Sequence, residues 1–463
     1  MNHRASLGQF QSRPQPLSAK EGRVNLSQVV WLKIGVFALA CLGFGKEAKA
    51  SDWADWASEW ANLKASLTQQ IQYNDNMTYS STQKQAAFGY FLSPSLQASH
   101  NTESFDISVK AQGSIKRYDN PLWDCENYTL GLNSQYKTRR SIFKMVGGYG
   151  ISCAYSSQSQ ETGVIVPGVQ STNYNLAPSW MWQWTARSQL SLGAAYTNRS
   201  YTSSSNSTAK TSSTAPTSYT NYDSYSINLG LNYAWDRELS LNGGLYFMDS
   251  QYQGSNASTQ RSIGLQLGGQ YVISPYWTAN FSAGLRRTDI QYASNAPNSS
   301  SMSPLGNASL SYIDRLSKFS IGYSSTIVPS ALGQTLQTQS VYARYSYKLT
   351  PHLMLNINTN LLQSLPIGGQ ASSGTTTSAY GRNSVNSSVA FIWDFAANWQ
   401  LKGSYAFLWQ KLQQQGPAEG NVVTLSLSYA LDEIEELAAG KYNMFDDTTV
   451  VHSSSTENHG LSF

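Results

Sequence analysis

The sequence predicts an all-β protein, a transmembrane antiparallel up-and-down β-barrel of about 18 strands, with 16 as the alternative. Three observations carry that prediction. The body of the chain alternates apolar with small or polar residues at period two. Its connections alternate between short and long. Its composition is poor in charge and rich in aromatics: charged residues make up 13% of 463 and aromatics 12%, with 29 Tyr and 13 Trp. Mean hydropathy is -0.37. A helical membrane protein would show repeated apolar runs of about 20 residues, and a charge-rich disordered chain would lack the aromatics. No Lys/Arg cluster of the kind that binds nucleic acid occurs in the body.

The first element is a leader. The formal charge is +4, from 31 Lys+Arg against 27 Asp+Glu. Residues 1–50 hold Arg4, Arg13, Lys20, Arg23, Lys33, Lys46 and Lys49 against Glu21 and Glu47, which leaves 24 basic and 25 acidic residues in the rest. The basic pI of 8.7 therefore belongs largely to the leader. A basic stretch, an apolar run over 34–44 and Ala48-Lys49-Ala50 read as a secretory signal peptide cleaved after Ala50. The run is too short to span a bilayer. Over 51–66, Trp53, Trp56, Trp60 and Leu63 share one helical face by spacing, so a short periplasmic amphipathic helix is expected there.

The barrel itself is expected over 67–431. Trp399, Leu401, Gly403, Tyr405, Phe407 and Trp409 alternate with Gln400, Lys402, Ser404, Ala406 and Leu408, and Leu353, Leu355, Ile357, Thr359 and Leu361 with Asn356, Asn358 and Asn360. Tyr225, Ile227, Leu229, Leu231 and Tyr233 alternate with Ser226, Asn228, Gly230 and Asn232. Successive strand side chains point to opposite faces, so one face is apolar and the other small or polar. A soluble sandwich would carry Lys and Glu on its wet face; here that face carries Asn, Ser, Thr, Gln and Gly. Short links such as 139–140, 236–238 and 274–276 suit hairpins. Longer ones such as 75–87, 157–171, 202–221, 326–336 and 363–383 suit external loops. Trp184, Trp235, Trp277, Trp399 and Trp409 fall near strand ends, as interfacial girdles do. Proline recurs in Leu92-Ser93-Pro94-Ser95-Leu96, Leu176-Ala177-Pro178-Ser179-Trp180 and Met302-Ser303-Pro304-Leu305. It lacks a ladder donor, so edges, bulges or strand starts near the loop rim are expected. The strand over 421–431 is the expected closing strand. Residues 432–463 read as a periplasmic acidic helix followed by a flexible tail.

Gln72-Tyr73-Asn74-Asp75-Asn76, the strand with Pro94, and Arg117-Tyr118 resemble the outer-membrane barrel family called β-barrel porin 2, over about residues 67–431. The resemblance implies a channel-like barrel in the bacterial outer membrane. Some relatives are associated with exopolysaccharide production. It supplies no catalytic residues.

Inward parity assigns Lys110, Lys116, Lys144, Arg286, Arg344, Lys348 and Lys402 to the lumen, against Asp106. A water-filled pore so lined favours anions modestly; the bland alternative is that these side chains pair with acids or reach for a rim. Among the aromatics, Tyr246 and Tyr342 fall inward on central strands. Export implies an oxidising compartment, in which Cys125 and Cys153 are a candidate disulfide. Their positions put them at similar heights on one hairpin, but their face parities differ, so a bridge would need a bulge. The mature histidines share no face with a Ser and an acid, and no CxxC or HExxH occurs, so no enzyme, cofactor or metal site is expected. The expected function is passive passage of polar solutes with a weak preference for anions. An export conduit for an exopolysaccharide and a surface anchor or adhesin barrel are the alternatives. The expected partners are outer-membrane lipid, small polar or anionic solutes or a polysaccharide, and the barrel-assembly machinery, with no nucleic acid. Substrate, pore radius and oligomeric state stay open.

Overall fold

The computed structural model describes residues 62–155, 163, 165, 167–203, 219–254, 257–293, 298–331, 333, 335–367, 381–412 and 416–430. The expected signal peptide, the tryptophans of the amphipathic segment and the acidic tail lie outside them. The strands are β1 (Asn62–Asn74), β2 (Ala87–Asn101), β3 (Phe105–Tyr118), β4 (Cys125–Lys137), β5 (Ser141–Cys153), β6 (Val169–Gln183), β7 (Ser188–Ser203), β8 (Tyr222–Ala234) and β9 (Leu239–Tyr252). They continue as β10 (Ser258–Val272), β11 (Trp277–Tyr292), β12 (Ser299–Ile313), β13 (Ser317–Pro329), β14 (Thr335–Thr350), β15 (Leu353–Pro366), β16 (Arg382–Ala396), β17 (Trp399–Leu412) and β18 (Ala418–Ala430). Each pairs antiparallel with its neighbours, and β1 pairs with both β2 and β18. The 18-stranded sheet is therefore closed. Closure satisfies every ladder donor internally, the condition for backbone to cross hydrocarbon. Short turns gather at one rim and longer loops at the other, placing the short turns in the periplasm.

The first strand starts earlier than expected. Residues 62–66, assigned above to a helix, extend β1 and pair with β2 as far as Ser99. Leu63 and Leu67 face outward and Lys64 inward, so strand alternation and a ready partner override the helical spacing there.

The outer wall is apolar. Ile263, Leu265 and Leu267 on one face of β10 are 59%, 50% and 61% exposed. Such a surface is unstable in water and suited to lipid. Aromatics ring its periplasmic edge: Trp180, Trp182 and Trp184 stack in series, Trp277 packs on Tyr312, and Trp399 on Tyr429. Closure, apolar belt and girdle together place the protein in the bacterial outer membrane.

The inner wall explains the Ser-rich composition. Hydroxyls directly opposed in the register bond to each other: Thr68 with Ser428 at 2.9 Å, Ser152 with Ser171 at 3.0 Å, Ser224 with Ser250 at 3.0 Å, Ser262 with Thr288 at 2.9 Å and Ser324 with Ser340 at 2.7 Å. Cross-strand polar pairs of this kind stabilise a sheet by a few tenths to 1 kcal/mol each, roughly.

Two expectations about local geometry need correcting or completing. The prolines are not at strand ends. Pro94 lies where the β2–β3 register skips from Leu92 to Ser95, and Pro178 where the β6–β7 register skips from Leu176 to Ser179. Each opens one ladder in mid-strand while the other stays intact: Pro94 still opposes Leu67, and Pro178 opposes Met145. Cys125 and Cys153 are bridged, with Cα atoms 6.0 Å apart. The β4–β5 ladder ends at the pair Tyr128–Ile151. Beyond it Asn127 Oδ1 accepts from the Cys153 backbone N–H at 2.9 Å, so the strands part and face parity no longer applies. Replacing both cysteines by serine is expected to cost about 3.5 kcal/mol by loop-closure entropy for a separation of 28 residues. A lowered urea midpoint in folded, lipid-embedded protein would register it, and an unchanged midpoint would contradict it.

Candidate functional site

The candidate site is the lumen and its outer mouth. At that mouth, described loop residues meet partners far away in sequence. Gly163, on the β5–β6 connection, sits against β16 and β17: its carbonyl accepts from Gln410 Nε2 at 2.7 Å. The same Gln410 amide donates to the Tyr79 carbonyl of the β1–β2 loop at 3.2 Å. Gly163 has φ +71°, and a Cβ there would lie 2.6 Å from Gln410 Oε1 and 2.9 Å from Arg382 Cδ. Only glycine fits this contact. A second crossing joins the β7–β8 and β13–β14 loops, where the Thr220 N–H donates to the Ala331 carbonyl at 2.7 Å.

An apolar cluster fills the mouth beneath the first crossing. Met77, Ala87, Phe91, Tyr118, Trp123 and Ile165 are buried together, with Tyr79 and Tyr155 packed on them. Tyr79 holds φ 48°, which costs a residue with a side chain about 1–2 kcal/mol. Burial pushes its phenol up to about 12, with Arg382 acting in the opposite sense.

The motif that carried the family resemblance has a structural role here. Asn76, fully buried, donates from Nδ2 to the carbonyls of Ser80 at 2.9 Å and Glu419 at 2.7 Å. The Asp75 carboxylate accepts from the Asn421 backbone N–H at 2.6 Å and its side chain at 2.7 Å. Asn74-Asp75-Asn76 thus clips the first loop to β18 at the seam where the barrel closes. Arg117 pairs with Glu126 at 2.6 Å.

The lumen-facing ions divide into distinct groups. Lys137 and Asp106 form an ion pair of 2.7 Å near the periplasmic rim, so Asp106 is neutralised. Lys116 lies in the mouth, 5.5 Å from the rings of both Phe91 and Tyr155. Two inward tyrosines each hold an arginine: Arg286 lies 4.2 Å from the Tyr246 ring centroid and Arg344 5.0 Å from that of Tyr342. Glycines make both contacts. Gly264 lies between Tyr246 and Arg286 in one transverse row, and Gly322 opposes Tyr342, whose ring a Cβ would strike at 2.5 Å. Lys110, Lys144, Lys348 and Lys402 sit on the lumen face but not together: they are on β3, β5, β14 and β17.

Sequence reasoning passed over Arg199 and Arg382, both buried and both on the lumen face. Arg199 shares its face with Ser191, Gly193, Ala195 and Thr197, so alternation alone carried the signal. Arg382 begins β16, inside what read as a loop. Asp394, also inward, accepts from Gln400 Nε2 at 2.8 Å. Among the described residues no group of three or more His, Cys, Asp or Glu is placed to hold a metal ion.

Residues 127–303 match a family described as "Putative MetA-pathway of phenol degradation". No curated protein matches the sequence. The unliganded ferric citrate transporter FecA superposes with a TM-score of 0.47 at 11% identity, over 78% of this chain and 63% of its own. The chain thus spans less than two thirds of that transporter. OccK5 (OpdH) of Pseudomonas aeruginosa gives 0.41 at 12% identity, over 80% of this chain and 98% of its own. OpdK of the same organism, solved with vanillate, gives 0.43 at 13% over the same shares. The closed 18-stranded sheet agrees with the barrel that the resemblance to β-barrel porin 2 implied, and none of these matches bears on exopolysaccharide.

Proposed function

We propose that the protein is an outer-membrane channel for small polar solutes, favouring anions and narrowed at its mouth by its own loops. One observation carries this reading. Arg286, Arg344 and Lys402 face the lumen with no carboxylate paired to them among the described residues. Arg286 is only 5% exposed and faces the Tyr246 ring, and among the described residues its Nε and Nη1 have no hydrogen-bond partner. A guanidinium met by a ring face and by no carboxylate favours an approaching anion, because a buried charge without a counter-ion is costly. Fixed positive charge on a low-dielectric wall raises the local anion concentration. Passage of a neutral sugar polymer is the weaker reading. Stacking on sugars needs open ring faces, and arginines occupy those of Tyr246 and Tyr342.

Planar-bilayer recording across a KCl gradient tests the proposal. The wild type is expected to give a reversal potential on the anion side, and R286Q/R344Q/K402Q to bring it close to zero. Cation preference in the wild type, or an unchanged potential in the variant, would sink it.

A further inference from the structure

The outward-facing charges of the wall gather at one height. Arg261 on β10 directly opposes Asp249 on β9 and Asp289 on β11. Its Nε donates to Asp249 Oδ2 at 3.2 Å, and the Nε of neighbouring Arg287 donates to Asp289 Oδ1 at 3.1 Å. Both arginine side chains are 59% exposed, and no bond to the Nη atoms of either is present among the described residues. Each aspartate thus binds one edge of a guanidinium and leaves the outer fork free.

Height decides what meets those forks. On the same face of β10 the residues below Arg261 are Ile263, Leu265 and Leu267, and the face ends at Tyr271 near the periplasmic turn. The ten-residue span from Tyr271 to Arg261, at about 3.3 Å per residue and a strand tilt of about 40°, rises roughly 25 Å. That is about the height of the apolar band of an outer-membrane barrel. The guanidiniums therefore stand at the headgroup level of the outer leaflet, on the lipid side of the wall. A planar guanidinium fork matches a phosphate bidentately.

We propose that Arg261 and Arg287 form a binding site for a phosphate of an outer-leaflet lipid headgroup, with Asp249 and Asp289 as positioning residues. The site lies outside the channel and does not depend on what the lumen conducts.

The test uses the full barrel extracted from outer membranes and reconstituted in nanodiscs, with either phosphorylated or enzymatically dephosphorylated lipopolysaccharide. Bound lipid is counted by native mass spectrometry. The wild type is expected to retain the phosphorylated lipid at least tenfold better than R261Q/R287Q, and to prefer it over the dephosphorylated form. R261K/R287K, which keeps charge but loses the fork, should fall between. Heat-modifiable gel mobility establishes that each variant is folded. Equal retention by folded wild type and both variants would overturn the proposal, as would indifference to the phosphates. Displacement of the lipid by millimolar inorganic phosphate would overturn the lipid as the occupant.

Discussion

Barrels in which Leu245 and Leu285 are both replaced by arginine are expected not to assemble. The two leucines flank Leu265 in one transverse row across β9, β10 and β11. All three face outward and are half exposed or more, at 52%, 50% and 59%. In water the substitution would relieve an apolar patch. In lipid, an arginine near the midplane costs roughly 2–4 kcal/mol. The two sites are separated by two strand spacings, about 10 Å, so their costs add. The sum, about 4–8 kcal/mol, rivals the whole stability of an ordinary domain, roughly 5–15 kcal/mol. Gln266→Arg is the control, because its side chain faces the lumen on the same strand. The measurement is the heat-modifiable, membrane-inserted fraction. Wild-type levels of the double variant would mean that this belt does not face lipid.

The second large effect is expected at the mouth. Gln410→Ala removes the two bonds that hold the Tyr79 and Gly163 carbonyls to β17. At about 1 kcal/mol for each bond, the closed arrangement loses roughly 2 kcal/mol, a shift of about thirtyfold in a two-state equilibrium. Single-channel conductance should rise severalfold, with longer open dwells. Thermal unfolding should move little, because the wall ladders are untouched. Gln410→Glu, which keeps size but loses both donors, should open the channel as Ala does. Conductance unchanged in both variants would mean that the crossing does not limit flow.

The wall was legible because lipid and water impose opposite demands on alternate residues, and β8, β15 and β17 display that alternation over most of their length. The number of strands followed from counting the runs. The inward placement of Tyr246, Tyr342, Arg286 and Arg344 followed from parity as well. The mouth was not legible. Gln410 meets Gly163 at a sequence separation of 247, and no local pattern in either segment announces the partner. The Cys125–Cys153 bridge was half legible. Its height on the hairpin was readable, while the end of the ladder at Tyr128 depends on Asn127 taking over a backbone donor. Pro94 and Pro178 were expected near strand ends, but one strand has two ladders, and proline needs to spoil only one of them; Pro304 does sit on an unpaired edge, where the β12–β13 ladder starts only at Gly306.

The hydroxyl pairs that line the inner wall have a chemical consequence. A serine or threonine alcohol neither gains nor loses a proton between mildly acid and mildly alkaline water, and each opposed pair satisfies its neighbour in either direction. These parts of the wall keep a constant character as the outside medium sours. A bacterium carrying this barrel would meet acid with a conduit whose hydroxyl lining does not retune.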